Sequence, residues 1–452
     1  MSVTPIGPVS IDQLIEHFTP LPDAADLVVI GGGIAGVTCA WFAARAGKRV
    51  VLLEKGRIAG EQSSRNWGWI RTQGRDPAEL PMAIEAQHLW RELAAETSED
   101  IGLRPNGTAY LARNEADEAR FAGWLPHAEA HGLDTRMLGA SELGRMMPGA
   151  RECDWRAALW TESDMCAEPW LAVPALARAA ARNGVAIREN CAVRRLDREA
   201  GQVTGVVTEA GRIRCDRVVL AGGAWSSLFL RAHGIVIPQL SVRATVTRTT
   251  PLPDVFAGQA VDDHLAFRRR ADGGYSLAAS ARHDFLIGPD ALRHMSKFWP
   301  VVKKDILSTG LRPSSPRGYP DSWATRRNWS ADEESPFERM RILNPHPNRR
   351  HSIDASRRFS AAFPGLGNVE VASAWAGMID TMPDVVPVID EVPDLPGLIV
   401  LTGLSGHGFG IGPGVGRVAA DLAMGRDPRT DLNRFRISRF WDGSAIAPGP
   451  SL

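Results

Sequence analysis

Three glycines and one acid near the N-terminus form the first grouping with a chemistry attached. Gly31, Gly33 and Gly36 stand at G-x-G-x-x-G spacing, and Glu54 follows 18 residues after the last. Glycine at the first position permits a tight turn, at the second lets backbone approach a pyrophosphate, and at the third lets helix pack on strand. A helix opening at Ile34 and Ala35 offers unpaired N–H groups and partial positive charge to phosphates. Glu54 is placed to accept from ribose hydroxyls, and an acid there disfavours a 2′-phosphate. The grouping reads as a dinucleotide site. A second one, SGHGFGIGPG at 405–414, strips side chains from alternate positions: Gly406, Gly408, Gly410, Gly412 and Gly414 interleave with His407, Phe409 and Ile411. Each glycine costs about 0.5–1 kcal/mol relative to alanine in regular structure. A large flat partner lying on this backbone is the reason that suggests itself.

The elements needed to hold these groups are legible around them. Leu27 to Ile30 is a short apolar run suited to a buried parallel strand, and Val37, Trp41, Phe42 and Ala44 recur at helical spacing. Gly47 ends that helix, and Val50 to Leu53 is the strand that delivers Glu54. Farther on, a strand and a three-stranded meander turn at Glu199-Ala200-Gly201 and Glu209-Ala210-Gly211. A buried strand, Val218 to Ala221, then runs into Gly222 and Gly223, a second glycine contact. The last such strand lies within 397–403, and the helix after the glycine ladder is expected to begin at Pro413. The spacing of Val415, Val418, Ala419, Leu422 and Ala423 continues it to a cap at Gly425. A helix N-terminus behind bare backbone suits an isoalloxazine edge that becomes anionic on reduction, which favours FAD over NAD. Ser63, Ser64 and Arg65 add donors for a pyrophosphate.

Bulk properties narrow the class. With 52 basic and 52 acidic residues, the chain has no electrostatic case for nucleic acid. Cys39, Cys153, Cys166, Cys191 and Cys215 include no C-x-x-C pair, so neither a disulfide framework nor a cysteine zinc site is expected, and no metal is assigned. The N-terminal residues lack the basic and apolar regions of a secretory signal, and no membrane span is expected, which points to a cytoplasmic protein.

The fingerprint, the meander and SGHGFGIGPGVGRVAADL together resemble the D-amino-acid-oxidase-like flavoprotein superfamily. IAGEQSSRNWGW, VVLAGGAWSSLFL and EESPFERMR are most similar to the L-amino acid deaminases of Proteus-type bacteria. The resemblance implies an α/β fold: a Rossmann-type FAD-binding domain of glutathione-reductase-like topology with an interleaved α+β substrate domain built on an antiparallel sheet. The FAD domain would comprise 1–75, 150–238 and 365–452, and the substrate domain 76–149 and 239–364, with 289–350 a helical and irregular insert. It implies oxidation of an amino acid or amine by hydride transfer to flavin N5, then imine hydrolysis to a keto acid and ammonia, with oxygen or a quinone as final acceptor. Lys55, Val193, Trp225 and Trp67 join the implied cofactor contacts, and Trp375 and Met378 match the flavin-facing wall. Covalent relatives use a cysteine in the segment matching Ala376-Gly377-Met378 or a histidine near Asn66. Neither residue type stands there, so the FAD is expected to be dissociable. The same flavin logic leaves open a hydroxy-acid dehydrogenase or an FAD-holding subunit of a larger complex.

An α-carboxylate calls for the planar fork of an arginine. Arg282, in a segment (273–288) that alternates like one strand, matches the deaminase anchor; Arg71 and Arg75 are runners-up, and Arg243 is weaker. His407 is expected at the flavin edge, and Trp67 and Trp69 narrow the pocket. The 14 tryptophans exceed what a core needs and suit an aromatic or bulky apolar substrate. Phe298, Trp299 and Trp329 beside Lys303 and Lys304 permit peripheral membrane contact; an oligomer contact or lid is the competing role.

Overall fold

In the computed structural model, which describes residues 6–151, 155–280, 282–304 and 309–446, two large sheets, a three-stranded meander and a two-stranded pair share one chain. Cys153 lies outside these residues. The first sheet has six strands in the order Val388–Glu391, Leu398–Thr402, Val218–Leu220, Leu27–Ile30, Val50–Leu53, Ala186–Arg188. All are parallel except the first, which runs antiparallel to its neighbour. Three of its inner strands, Val218–Leu220, Leu27–Ile30 and Val50–Leu53, are apolar at every position because both faces are covered. Leu27, Val29, Leu52 and Val219 meet the helices Ile34–Arg45 and Pro169–Arg182. Val28, Val51, Leu53 and Val218 meet the meander Val193–Glu199, Gln202–Thr208, Gly211–Arg214. Ala200 and Gly201, both at positive φ, make the first meander turn.

The second sheet has ten strands and is mostly antiparallel. Its spine is a long pair, Leu240–Thr249 and Val371–Thr381, in register from Leu240 opposite Thr381. Two segments fall on the other side of the boundaries expected above. Ala157–Thr161 is paired on both edges within this second sheet, which removes it from the nucleotide-binding part. The helix Leu80–Thr97 packs against the first sheet's helices, because Met82, Ala83, Trp90 and Leu93 all enter that core. The segment 273–288 is two strands rather than one, Tyr275–Ala278 and His283–Leu286; a turn closed by Arg282 N–H on the Ala279 carbonyl (3.1 Å) interrupts the alternation. The insert opens with the helix Pro289–Lys304 and continues largely without regular structure.

The glycine ladder holds the main departure from expectation. Its helix begins at Gly408, and Pro413 lies inside it. The glycines are therefore mostly helical, and they face other protein segments. A Cβ on Gly412 would stand 2.4 Å from the Ile34 side chain, and one on Gly416 would stand 2.1 Å from Thr38 Oγ1 and 2.9 Å from the Cys39 nitrogen. On the adjacent face, Gly410 and Gly414 would meet the Trp69 carbonyl at 3.0 Å and the Met82 carbonyl at 2.6 Å. Thr38 Oγ1 donates to the Gly412 carbonyl (3.1 Å) and Trp90 Nε1 to the Gly410 carbonyl (3.0 Å). Such bonds require backbones in near contact, and the i, i+4 pairs supply one bare stripe for each neighbour.

Replacing Gly416 by alanine should force the two helices apart and cost about 1–3 kcal/mol, the usual range for overpacking a filled interior. Gly365→Ala, at a position open to space, should shift stability by less than about 0.5 kcal/mol. Chemical denaturation of the two variants checks the contrast.

Candidate active site

The carboxyl ends of the first sheet's strands open onto a narrow cavity, where a doubly wound fold places its ligand. Gly31 has φ +111°, and a Cβ there would lie 2.3 Å from the Ala221 carbonyl oxygen; Gly36 would meet the Gly31 carbonyl at 2.0 Å. Only glycine fits this turn. Gly33 faces Ser63, whose Oγ accepts from the Ile34 N–H (2.9 Å) at the helix N-terminus. Glu54, at the end of its strand, accepts from the N–H groups of Gly32 and Gly56, both at 2.7 Å. Burial pushes its carboxyl up to about 7, against the pull of Lys55 and those two donors. Gly222, Gly223, Val193, Lys55 and Trp225 complete the walls. A side-chain-free turn, a helix N-terminus and a buried acid at the end of the neighbouring strand fit the adenosine and pyrophosphate of FAD.

A larger cavity of about 460 Å³ continues from it, sharing Gly33, Gln62, Ser63, Ala221 and Gly223. Its floor is the Gly33–Ala35 helix start and the loop from Leu404 to Phe409. One wall is the long strand pair, through Ala244, Val246, Gly377 and Ile379, and the far side carries Trp67, Trp69, Tyr110 and Phe121. Where the cavities meet, a buried polar network fixes the backbone. Gln239 Nε2 donates to Thr402 Oγ1 (2.9 Å), to the Gly223 carbonyl (3.2 Å) and to Asp380 Oδ2 (3.2 Å), which also accepts from Gly403 N–H (2.8 Å). Burial raises the Asp380 carboxyl above its ordinary range. A flat ring system has room here at the end of the adenosine cavity.

Four titratable groups converge at the cavity's inner end. His407 Nδ1 is 3.1 Å from Glu79 Oε2, and Glu79 is fully buried. Arg75 lines the cavity at 2 % exposure; its Nε donates to the Arg71 carbonyl (3.4 Å), and Nη1 is buried without a hydrogen-bond partner among the described residues. Burial, with Arg71 adding repulsion, pulls the guanidinium down to about 9. Arg71 stacks over the Tyr110 ring at 5.3 Å and donates to the Gln73 carbonyl. Burial and Arg75 pull the His407 imidazole down to about 4. Burial of Glu79 would raise its carboxyl, but His407, Arg75 and Arg71 outweigh it and hold the group below the ordinary value.

Several residues singled out from the sequence do not reach either cavity. Arg282 is exposed, with Asp354 3.9 Å away, because the turn before its strand directs it outward; Arg243 is bound to Asp284 (2.8 Å). Ser64 Oγ accepts from Val9 N–H (3.1 Å) in the interior. Trp375 donates to the Arg65 carbonyl (3.1 Å) and packs on Trp170, bracing the wall. Met378 alternates away from Gly377 and Ile379 into the meander-side core. Gly36, Gly410 and Ile411 serve packing. Arg65 does line the large cavity, but its guanidinium is spent on the carbonyls of Val9, Gly60 and Ala376 and on Asn344. Lys55 pairs with Glu61 (2.6 Å) and lies over Trp225. Gly406, His407, Gly408, Phe409, Trp67, Trp69, Arg71, Ile34 and Ala35 all border the large cavity. Glu79, Gln239 and Asp380 escaped the sequence reading, since no spacing links a buried acid to a histidine 328 residues later.

Two of the three aromatic residues expected on the insert surface are inside. Phe298 packs with Leu240 and Ala291, and Trp329 is enclosed against Phe337 and donates to the Arg194 carbonyl (2.8 Å). Trp299 is exposed, together with Leu292 and Met295. Among the described residues no helix is long and apolar enough to cross a membrane, and no cluster suited to a metal ion occurs.

Comparison with known proteins agrees with this geometry. The structure of L-amino acid deaminase from Proteus myxofaciens in complex with anthranilate superposes with a TM-score of 0.90 at 31% identity, covering 96% of this chain and 98% of that one. The L-amino acid deaminase from Proteus vulgaris gives 0.88 at 29% identity, covering 96% and 100%. N-methyl-L-tryptophan oxidase from Salmonella arizonae is 27% identical over 92% of this chain and 99% of its own. The family model described as FAD dependent oxidoreductase (DAO) matches residues 26–422, and the chain belongs to that family of flavoenzymes.

Proposed function

We propose that the protein oxidises the C–N bond of an amino acid, or an N-alkyl amino acid, with an aromatic or bulky apolar side chain, using non-covalently held FAD. The observation that carries this reading is Arg75: a buried guanidinium with an unpartnered N–H at the edge of a cavity walled by Trp67, Trp69, Tyr110 and Phe121. A buried donor left unmatched costs about 1–3 kcal/mol, and a substrate carboxylate removes that cost. Arg71 beside it supplies a second cation. The tryptophan and tyrosine faces then enclose the side chain and exclude water. The relatives named above are an amino acid deaminase and an oxidase of an N-methyl amino acid, which favours an amine over a hydroxy acid.

Gly31, Gly33, Ser63 and the helix start at Ile34 would hold the pyrophosphate, Glu54 the adenosine ribose, and Gly406 and Gly408 would border the ring system. FAD, when bound, supplies the acceptor for the two electrons leaving the C–N bond. The chain's own work is positional. Arg75 and Arg71 fix the carboxylate, the aromatic walls fix the side chain, and the remaining freedom of the α-carbon is a single orientation toward the shared floor of the cavities.

The exposed stripe Leu292, Met295 and Trp299 on the helix Pro289–Lys304 supports a peripheral contact with an anionic bilayer as well. The three lie at i, i+3 and i+7, one face of the helix, and Lys303 lies 5.4 Å over the Trp299 ring at its border. Co-sedimentation with vesicles containing phosphatidylserine should exceed that with neutral vesicles, and Trp299→Glu with Met295→Glu should abolish the difference.

Purified protein should be yellow and should bleach anaerobically on addition of an aromatic or large aliphatic amino acid, whereas the corresponding 2-hydroxy acid should leave the colour unchanged; bleaching by the hydroxy acid alone refutes the amine assignment. Arg75→Gln should raise KM for the amino acid about 10- to 100-fold, as loss of a charge-assisted hydrogen bond implies. Arg282→Ala should leave KM within about twofold, the range for a surface change.

A further inference from the structure

We propose, building on the amine-oxidising function above, that His407 takes the proton from the substrate's ammonium group, and that Glu79 is the residue that holds it in the proton-accepting form. An amino acid enters as an ammonium ion, and its nitrogen lone pair must be free before the C–N bond loses electrons. In this step one N–H bond of the ammonium breaks, its electron pair stays on the substrate nitrogen, and a new N–H bond forms on the imidazole.

The geometry assigns the atoms. Glu79 is buried among cations and stays ionised, so its carboxylate only accepts. The bond of 3.1 Å between Glu79 Oε2 and His407 Nδ1 therefore carries the histidine's proton on Nδ1. That leaves Nε2 with a lone pair, on a residue that borders the substrate cavity between Gly406 and Gly408. The arrangement follows the general pattern in which a buried carboxylate fixes the tautomer of a basic imidazole.

The groups that face His407 also make its basicity depend on the substrate. Glu79, at the start of the helix Leu80–Thr97, raises its proton affinity; Arg75 and Arg71, from the segment before that helix, lower it, after burial. A carboxylate seated on Arg75 and Arg71 cancels part of their effect. The imidazole, held down at about 4 chiefly by burial and then by Arg75, is neutral but weakly basic in the empty site, and it gains proton affinity once the substrate's carboxylate offsets the arginines. A ligand lacking a carboxylate gains no such help.

The reductive half-reaction tests this in the holoenzyme, by anaerobic stopped-flow absorbance across pH 5 to 10. Wild type should reduce its flavin at a nearly constant rate through the neutral range. His407→Gln should follow the ionisation of the free amine instead. Its rate at pH 7 should fall about 100-fold for an amine titrating near 9, since each pH unit is tenfold, and recover at pH 9 to 10. Glu79→Gln, which can present an N–H to Nδ1 and so move the ring proton to Nε2, should show the same recovery at high pH. As a second readout, titration of His407→Gln with a plain aromatic carboxylate, followed by the flavin spectrum, should give unchanged affinity, because one neutral side chain replaces another. A variant with the wild-type pH profile, or one impaired equally at every pH, overturns the proposal. Failure of the wild-type enzyme to bleach with any amino acid overturns the underlying function instead.

Discussion

The site depends on two backbones being able to touch. The helix Gly408–Ala423 carries no side chain where it crosses the helix Ile34–Arg45, and the Gly412 carbonyl comes within hydrogen-bond range of Thr38. These two helices begin at the floor of the large cavity, one with Ile34 and Ala35, the other with Gly408 and Phe409. Their separation therefore sets the width of the floor. A methyl group at the crossing would move both N-termini at once, and with them the helix starts that border the cavity and the loop holding His407. Close packing leaves no slack to absorb such a shift.

The same convergence concentrates positive potential at one end of the cavity. Two helix N-termini point toward it, and Arg71 and Arg75 stand beside them. Glu79 and the buried Asp164 offset these charges in part, and the Glu79 carboxylate is turned to His407. Elsewhere along the cavity lining the sign is mixed. Arg120 meets Asp263 at 3.2 Å, and Asp262 is bound to Arg113 (2.7 Å).

Most of the nucleotide end was legible in the sequence because its constraints are local. A turn that tolerates only glycine, a helix start and a strand-end acid all fall within 30 residues, and each leaves a residue type behind. The substrate end was less legible because its constraints are contacts across the fold. Arg282 sits on a stretch that alternates like a strand, yet a turn at Ala279 breaks the stretch and sends the side chain out. The glycine ladder signalled close approach correctly but not what approaches. From composition alone, bare backbone for a cofactor and bare backbone for a helix crossing look identical; the i, i+4 pairing of Gly412 with Gly416 was the signal for the second. Tryptophan content pointed to an aromatic cavity, and the structure divides the residues. Trp67 and Trp69 form wall, while Trp90, Trp170 and Trp375 hold that wall and the glycine helix in place.

Where the two cavities join, the protein uses polar groups in a place where apolar ones would pack as well. Gln239, Thr402 and Asp380 are each at least 94 % buried, and their hydrogen bonds run to one another and to the backbone of Gly223 and Gly403. Such a network adds little net stability, because every bond replaces one with water. What it does add is direction, since a donor with three fixed acceptors holds two loops in one relative position and penalises any other. One of these loops lines the narrow cavity and the other precedes His407. A single ligand spanning both cavities needs that relative position held more than it needs either loop made tighter. The polar junction and the bare helix crossing are two answers to the same requirement, placed on opposite sides of the cavity floor.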